Sequence, residues 1–186
     1  YGYVHGRFQS LVRKLNRSGD EAWDEYDRTI KKNYDKGYSE LVPEDELDKR
    51  GGKVNFLAHH GSRTESKPKL RVVYDCLAEH KGASINKLAL QGPDFMNDLL
   101  GVLLRFRQYQ TAFMADIEGM YHQVQVSEED KDALRYLYFN DNGELVQYRM
   151  KVHLFGGVWS GAAAIYCLRR IAKDFDVPAY VEENLN

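Results

Sequence analysis

The sequence has few of the residues that mark several common classes of protein. Its two cysteines, Cys76 and Cys167, lie far apart and outside any Cys-x-x-Cys or Cys/His spacing, so neither a zinc site nor a disulfide framework is indicated. No stretch rich in Gly, Ser or Pro predicts a linker. The most apolar run, residues 162–167, is far too short to span a bilayer. We therefore expect a reduced, intracellular protein.

Charge of neither sign prevails. Lys and Arg total 26 against 28 Asp and Glu, and the net charge of −2 disfavours a small dedicated DNA-binding domain. A larger enzyme stays compatible, because a basic groove can be balanced by acidic surface elsewhere. A hydrophobic content of 43% over 186 residues predicts one domain, or one large piece of a bigger one. Because the chain begins with Tyr1 rather than Met, we expect an excerpt or a processed product.

Local patterns predict the main elements. Residues 18–21 have the form of a capping box, and the apolar stripe that follows predicts a helix ending near Gly37. Residues 70–74 form a β-prone run, whereas the adjacent His59 and His60 are assigned to a loop and would face opposite ways on a strand, unable to share a metal. Apolar residues at helical spacing predict a helix over 94–107.

The second half predicts a sheet. The compact apolar run 111–115 is typical of a buried strand that ends at Asp116. Runs 134–139 and 145–152 flank Asn-Asp-Asn-Gly, a strong hairpin signal, and a helix follows Gly156 and Gly157. The order predicts an α+β fold with a mainly antiparallel sheet. We expect its helices to pack on one face of that sheet and to bury four side chains: Leu99, Leu103, Ile165 and Leu168.

Asp116 and Tyr121 form the most informative pair. A carboxylate is a hard oxygen ligand suited to Mg²⁺, and an aromatic ring five residues later can press against a sugar. Each residue also has an ordinary structural interpretation. An Asp at the end of a strand is more often a turn or cap residue, and Tyr121 is equally compatible with a core position between sheet and helix.

The order and spacing of several segments resemble the reverse transcriptases of BEL/Pao-type retrotransposons. The matching segments are 69–75, 88–93, 103–107 and 115–124, with 37–38, 42–43 and 57–61 upstream and 148–150 and 154–156 downstream. The resemblance implies the fingers and partial palm of a polymerase, with residues 1–110 as an N-terminal extension and fingers-like region and residues 111–186 as a partial palm. It further implies a Pol polyprotein that also carries protease, RNase H and integrase.

The resemblance also implies roles for individual residues. Lys69 and Arg71 match positions that hold the triphosphate, and residues i and i+2 of a strand share a face; the alternative is a solvated pair. Asp116 matches the first catalytic Asp, and the Ile117 carbonyl would be a further metal ligand.

Three more positions match the part of the family that contacts sugar and base. Tyr121 matches the steric gate that excludes a ribonucleotide 2′-OH. Phe155 and Gly156 match the segment under the nascent base pair, where glycine lets the backbone approach the ligand. The implied partners are an RNA or DNA template-primer, deoxynucleoside triphosphates and two Mg²⁺ ions, with no membrane, in a cytoplasmic particle or the nucleus.

Two departures from the family pattern stand out. Gly161 replaces the usual proline, and the Tyr-x-Asp-Asp hairpin that supplies the remaining carboxylates is missing. Residues 180–183 resemble that hairpin with Glu182 and Glu183 for Asp, but Mg²⁺ tolerates little change in geometry. We expect the chain to stop before the hairpin and to be inactive alone. Two alternatives stay open: a degenerate or co-opted copy that binds nucleic acid or a protein partner, and an unrelated α+β domain.

Overall fold

A computed structural model describes residues 1–49, 52–64 and 67–175. The described chain is a mixed α/β fold with antiparallel sheets and five α-helices, which agrees with the predicted α+β class. The helices are α1 Gly2–Ser18, α2 Asp20–Asp35, α3 Ile85–Leu88, α4 Leu99–Phe106 and α5 Ser160–Asp174. The strands are β1 Ser39–Leu41, β2 Ala58–Thr64, β3 Lys67–Asp75, β4 Arg135–Phe139 and β5 Leu145–Met150. Short 3-10 helices lie at Glu44–Glu46, Met120–Gln123 and Lys131–Leu134.

The strands form two sheets. The first has the order β1-β5-β4, and the predicted hairpin of β4 and β5 is confirmed, with Tyr136 opposite Tyr148. Asn140 closes its turn, since the Asn140 side-chain oxygen accepts hydrogen bonds from the amides of Asn142 and Glu144. The second sheet pairs β2 with β3, so the prediction for residues 70–74 is also confirmed.

The N-terminal region differs from its predicted form. Val4, Phe8, Leu11 and Leu15 recur at helical spacing, and their burial makes α1 an amphipathic helix packed on the core. The predicted capping box is wrong, because Ser18 ends α1 and its hydroxyl donates to the carbonyl of Lys14 instead. The end of α2 just before Gly37 is as predicted.

The strand predicted over residues 111–115 is absent. This segment is irregular and exposed, and Phe113 is 88% exposed. A run of apolar residues becomes a strand only where a neighbouring edge supplies hydrogen bonds, and residues 111–115 pair with no strand among the described residues. The expected burial by α4 is also wrong, because Leu99 and Leu103 are exposed, while Ile165 and Leu168 of α5 are half-buried.

Helix α4 is strongly apolar, but its 8 residues are too few to cross a bilayer. No helix in the described ranges has the length and hydropathy that a membrane span requires. The stretch 180–183, considered above for its glutamates, lies outside the described residues.

The core is organised around His59, which lies on β2 and not in the predicted loop. Its Nε2 is 2.8 Å from the carbonyl oxygen of Leu137 on β4, and its Nδ1 is 2.6 Å from the hydroxyl of Tyr26 on α2. Since a carbonyl only accepts, Nε2 carries the proton and Tyr26 donates to Nδ1. His60, the next residue, is exposed, so the two rings face opposite ways as expected for a strand.

A second buried polar group joins the 3-10 segment Glu44–Glu46 to the hairpin. Arg135 is fully buried, and it donates to the Asp132 carboxylate and to the backbone carbonyl of Glu46. Arg149 donates to Asp132, Glu46 and Glu40 at 2.7–3.0 Å. Burial acts to raise the pKa of Asp132, but hydrogen bonds from Lys49, Arg135 and Arg149 outweigh it and lower that pKa to about 2.

The buried position of His59 predicts a pH-dependent stability. Burial lowers its pKa from 6.5 to about 4, so between these values the unfolded chain binds a proton that the folded chain does not. The free energy of unfolding therefore falls as pH falls, by about 2 kcal/mol between pH 7.5 and pH 5 from this residue. Urea unfolding at several pH values measures this change in the free energy of unfolding.

The matched variants for this test are His59→Gln and His60→Gln. His59→Gln lowers the free energy of unfolding at pH 7.5 and makes it depend less on pH. The remaining pH dependence comes from His122 and His153, because burial lowers the pKa of these two residues as well. His60→Gln is the control for the substitution itself, because His60 is exposed on the same strand. An undiminished slope in His59→Gln would contradict this account of the core.

The charge network predicts a large cost for Asp132→Asn. The change leaves two buried arginines without their shared counter-charge, and we expect the free energy of unfolding to fall by about 3 kcal/mol. Asp130→Asn is the control, because Asp130 forms a half-exposed pair with Lys53 and should change stability by less than about 1 kcal/mol. Similar losses for the two variants in denaturant unfolding would show that the network contributes no special stability.

Candidate nucleotide site

Two cations share one face of β3. Lys69 and Arg71 are exposed, whereas Leu70 between them is buried, which is the alternation that a strand imposes. The shared face predicted from the i, i+2 spacing is therefore present. Arg71 lies opposite Ser62 of β2.

Asp116 lies in an exposed, irregular segment that turns sharply after Glu118. Gly119 has φ +59°, a left-handed conformation that glycine adopts at little cost, and it begins the 3-10 helix Met120–Gln123. The amide of Met120 donates to the Ile117 carbonyl at 3.2 Å. A carbonyl oxygen has two lone pairs, so the Ile117 oxygen keeps one for another ligand.

A lysine just after α2 pairs with the next carboxylate. Glu118 accepts a hydrogen bond from Lys36 Nζ at 3.2 Å, and this bond lowers the Glu118 pKa, with smaller electrostatic contributions from Lys32 and Lys69. The pair is solvent-exposed on the Glu118 side.

An aromatic wall is formed by Tyr121 and His122, which follow the Asp116 segment in the chain, together with Phe155 and Tyr38. The rings of Tyr121 and Phe155 lie 4.6 Å apart between centroids, and His122 contacts Phe155 at 5.4 Å. Tyr38 packs on His122 at 4.9 Å. Tyr121 is half-buried and Phe155 is 53% exposed, so part of this wall faces solvent.

Gly156 connects this wall to β3. It has φ +101°, and a Cβ atom there would lie 3.7 Å from the carbonyl oxygen of Tyr74. A side chain is strained at that φ, and the backbone of Gly156 runs directly beside the end of β3. Gly156 therefore occupies a position where a glycine backbone can lie close to a neighbouring group.

The oxygen ligands present suit a single Mg²⁺ ion. Asp116 and the Ile117 carbonyl are hard oxygen donors, and Mg²⁺ is commonly held by one or two carboxylates together with substrate phosphates and water. Within the described ranges, no group of three His, Cys, Asp or Glu side chains is positioned to hold a metal. Asp116 and the Ile117 carbonyl are therefore donors of the type that Mg²⁺ takes, and the described side chains do not make up the carboxylate set of a two-metal site.

The structure thus brings the sequence-predicted residues together in part. Tyr121, Phe155 and Gly156 form one wall, and Gly156 lies beside the end of the strand that carries Lys69 and Arg71. The sequence interpretation missed Lys36, Tyr38 and His122. No sequence signal marks Lys36, because its contact joins distant elements. Tyr38 lies in a segment that resembles the family but was given no role, and His122 is adjacent to Tyr121 in the segment already singled out.

Comparison with known proteins adds no family to this geometry. No protein-family model matches the chain, and no curated protein matches it significantly.

Proposed function

We propose that this chain is the fingers and partial palm of a reverse transcriptase from a BEL/Pao-type retrotransposon, and that it binds a deoxynucleoside triphosphate. One observation carries the proposal. Residues 116–122 and 154–157 meet where the Tyr121 and Phe155 rings pack, and Gly156 lies beside the Tyr74 carbonyl on β3, the strand that also carries Lys69 and Arg71. This meeting of three segments supports a site with cations, a carboxylate and an aromatic wall, as a nucleotide requires.

Each segment has a distinct task in this proposal. Lys69 and Arg71 bind phosphate oxygens, where charge-assisted hydrogen bonds are strongest. The ring of Tyr121 lies against the sugar and restricts space at its 2′ position, and Phe155 with Gly156 supports the base. Asp116 and the Ile117 carbonyl would hold Mg²⁺, which when bound neutralises charge on the transferring phosphoryl group.

The parent reaction is nucleotidyl transfer. The primer 3′-hydroxyl attacks the α-phosphorus of the nucleotide, a phosphorus–oxygen bond forms, and pyrophosphate leaves. Two Mg²⁺ ions and further carboxylates would be needed for this step, so we propose that the intact parent, and not these 186 residues, carries the activity.

A non-catalytic copy that binds a partner is the second candidate. Its support is α4, whose large apolar side chains are exposed: Leu99, Leu100, Val102, Leu103, Leu104 and Phe106. Apolar surface of this extent marks interaction sites. The two proposals differ in nucleotide binding, which the second does not require.

Nucleotide binding depends on Arg71 in the first proposal. We expect Arg71→Ala to raise the Kd for dTTP with Mg²⁺ about tenfold in calorimetry, because a charge-assisted contact to phosphate is lost. Arg13→Ala is the control, since Arg13 is exposed on α1 and donates to Gln9 in its own helix. It should leave the Kd unchanged.

The same proteins are titrated with a labelled primed template. Arg71→Ala should weaken this binding less than it weakens dTTP binding. The reverse order would mean that the cations contact the nucleic-acid backbone. A wild-type chain that binds template or protein but no dTTP would favour the second candidate.

A further inference from the structure

The side chain of Asn86 holds the turn that follows Phe155. Its Nδ2 donates to the Gly156 carbonyl at 2.8 Å, and its Oδ1 accepts from the Val158 amide at 3.0 Å. The donor and the acceptor of this side-chain amide therefore both bind the backbone of a single turn, in the way that a peptide group of a neighbouring strand would. The contact joins residues about seventy positions apart in the chain.

Asn86 is also fixed to the end of β3. Its backbone amide donates to the Cys76 carbonyl at 3.2 Å, one residue beyond the strand. The Ser84 side chain caps the short helix α3 that carries Asn86. One residue therefore connects the strand that bears Lys69 and Arg71 to the turn that bears Phe155 and Gly156.

Three further hydrogen bonds lie within the turn and the start of α5. The Gly157 amide reaches the Leu154 carbonyl at 3.4 Å, the Ser160 hydroxyl donates to that carbonyl at 2.7 Å, and the Ser160 amide donates to the Gly157 carbonyl at 3.1 Å. The Gly156 carbonyl accepts from Asn86, which is itself hydrogen-bonded to the end of β3. We therefore expect the position of Gly156 relative to β3 to depend on Asn86.

Resting on the proposed function, we propose that Asn86 is a positioning residue that sets the aromatic wall at the correct distance from the triphosphate-binding cations. Asn86 does not touch the nucleotide. It fixes Phe155 and Gly156, which support the base, and leaves Lys69 and Arg71 on their own strand. Loss of Asn86 should thus affect recognition of the nucleoside part and spare recognition of the phosphates.

The test compares two ligands, dTTP and inorganic tripolyphosphate, each with Mg²⁺. We expect Asn86→Ala to raise the Kd for dTTP about tenfold and to leave the Kd for tripolyphosphate within about twofold of the wild type. Lys87→Ala is the control, because Lys87 lies on the same helical turn and its ammonium pairs with Glu79 at the surface. It should change neither Kd.

Hydrogen exchange gives a readout that needs no ligand. The Val158 amide should exchange faster in Asn86→Ala, since it loses its acceptor. Equal weakening of both ligands, or an unchanged Kd for dTTP despite faster exchange, would overturn the positioning role. A wild-type chain that binds neither ligand would instead refute the proposed function on which this role rests.

Discussion

The hydrogen bonds of His59 are the interaction on which the arrangement most depends. Through one imidazole, β2 is joined to Tyr26 of α2 and to the Leu137 carbonyl of β4, so the two sheets and a helix meet at one buried ring. Five aromatic rings surround it at centroid distances of 5.7–6.0 Å. A buried polar group is stable only with its partners in place, so this ring specifies one relative position of the sheets.

That position governs the candidate site. Lys69 and Arg71 belong to the two-stranded sheet, whereas Phe155 follows β5 of the three-stranded sheet. The charge network of Asp132, Arg135 and Arg149 acts on the other side of the hairpin, where it attaches Glu44–Glu46 to β4 and β5. The two buried polar groups together keep the hairpin from shifting against its neighbours.

Local signals predicted part of the local structure, although the capping box at 18–21 and the loop at His59 and His60 were wrong. The turn at Asn140–Gly143, the end of α2 and the alternation around Leu70 each depend on residues that are adjacent in sequence, and all three are present. The prediction of a strand over 111–115 was wrong. A strand must pair with the edge of another strand, and a local sequence pattern does not show whether such an edge lies nearby. The pairing of Lys36 with Glu118 joins distant segments, and the pattern of apolar and polar residues along the chain does not predict such a pairing. The proposed roles of Asp116 and Arg71 came from a resemblance and stay proposals.

The most direct measurement is paramagnetic broadening of backbone amide signals by Mn²⁺ in place of Mg²⁺, with and without dTTP. The account predicts that broadening begins at residues 116–119 and, once dTTP is added, extends to 69–71 and 155–157, because one nucleotide then joins the three segments. Asp116→Asn should weaken the broadening at all three segments. Broadening centred on the acidic segment Glu44–Glu46, or a pattern indifferent to dTTP, would contradict a nucleotide site at this place.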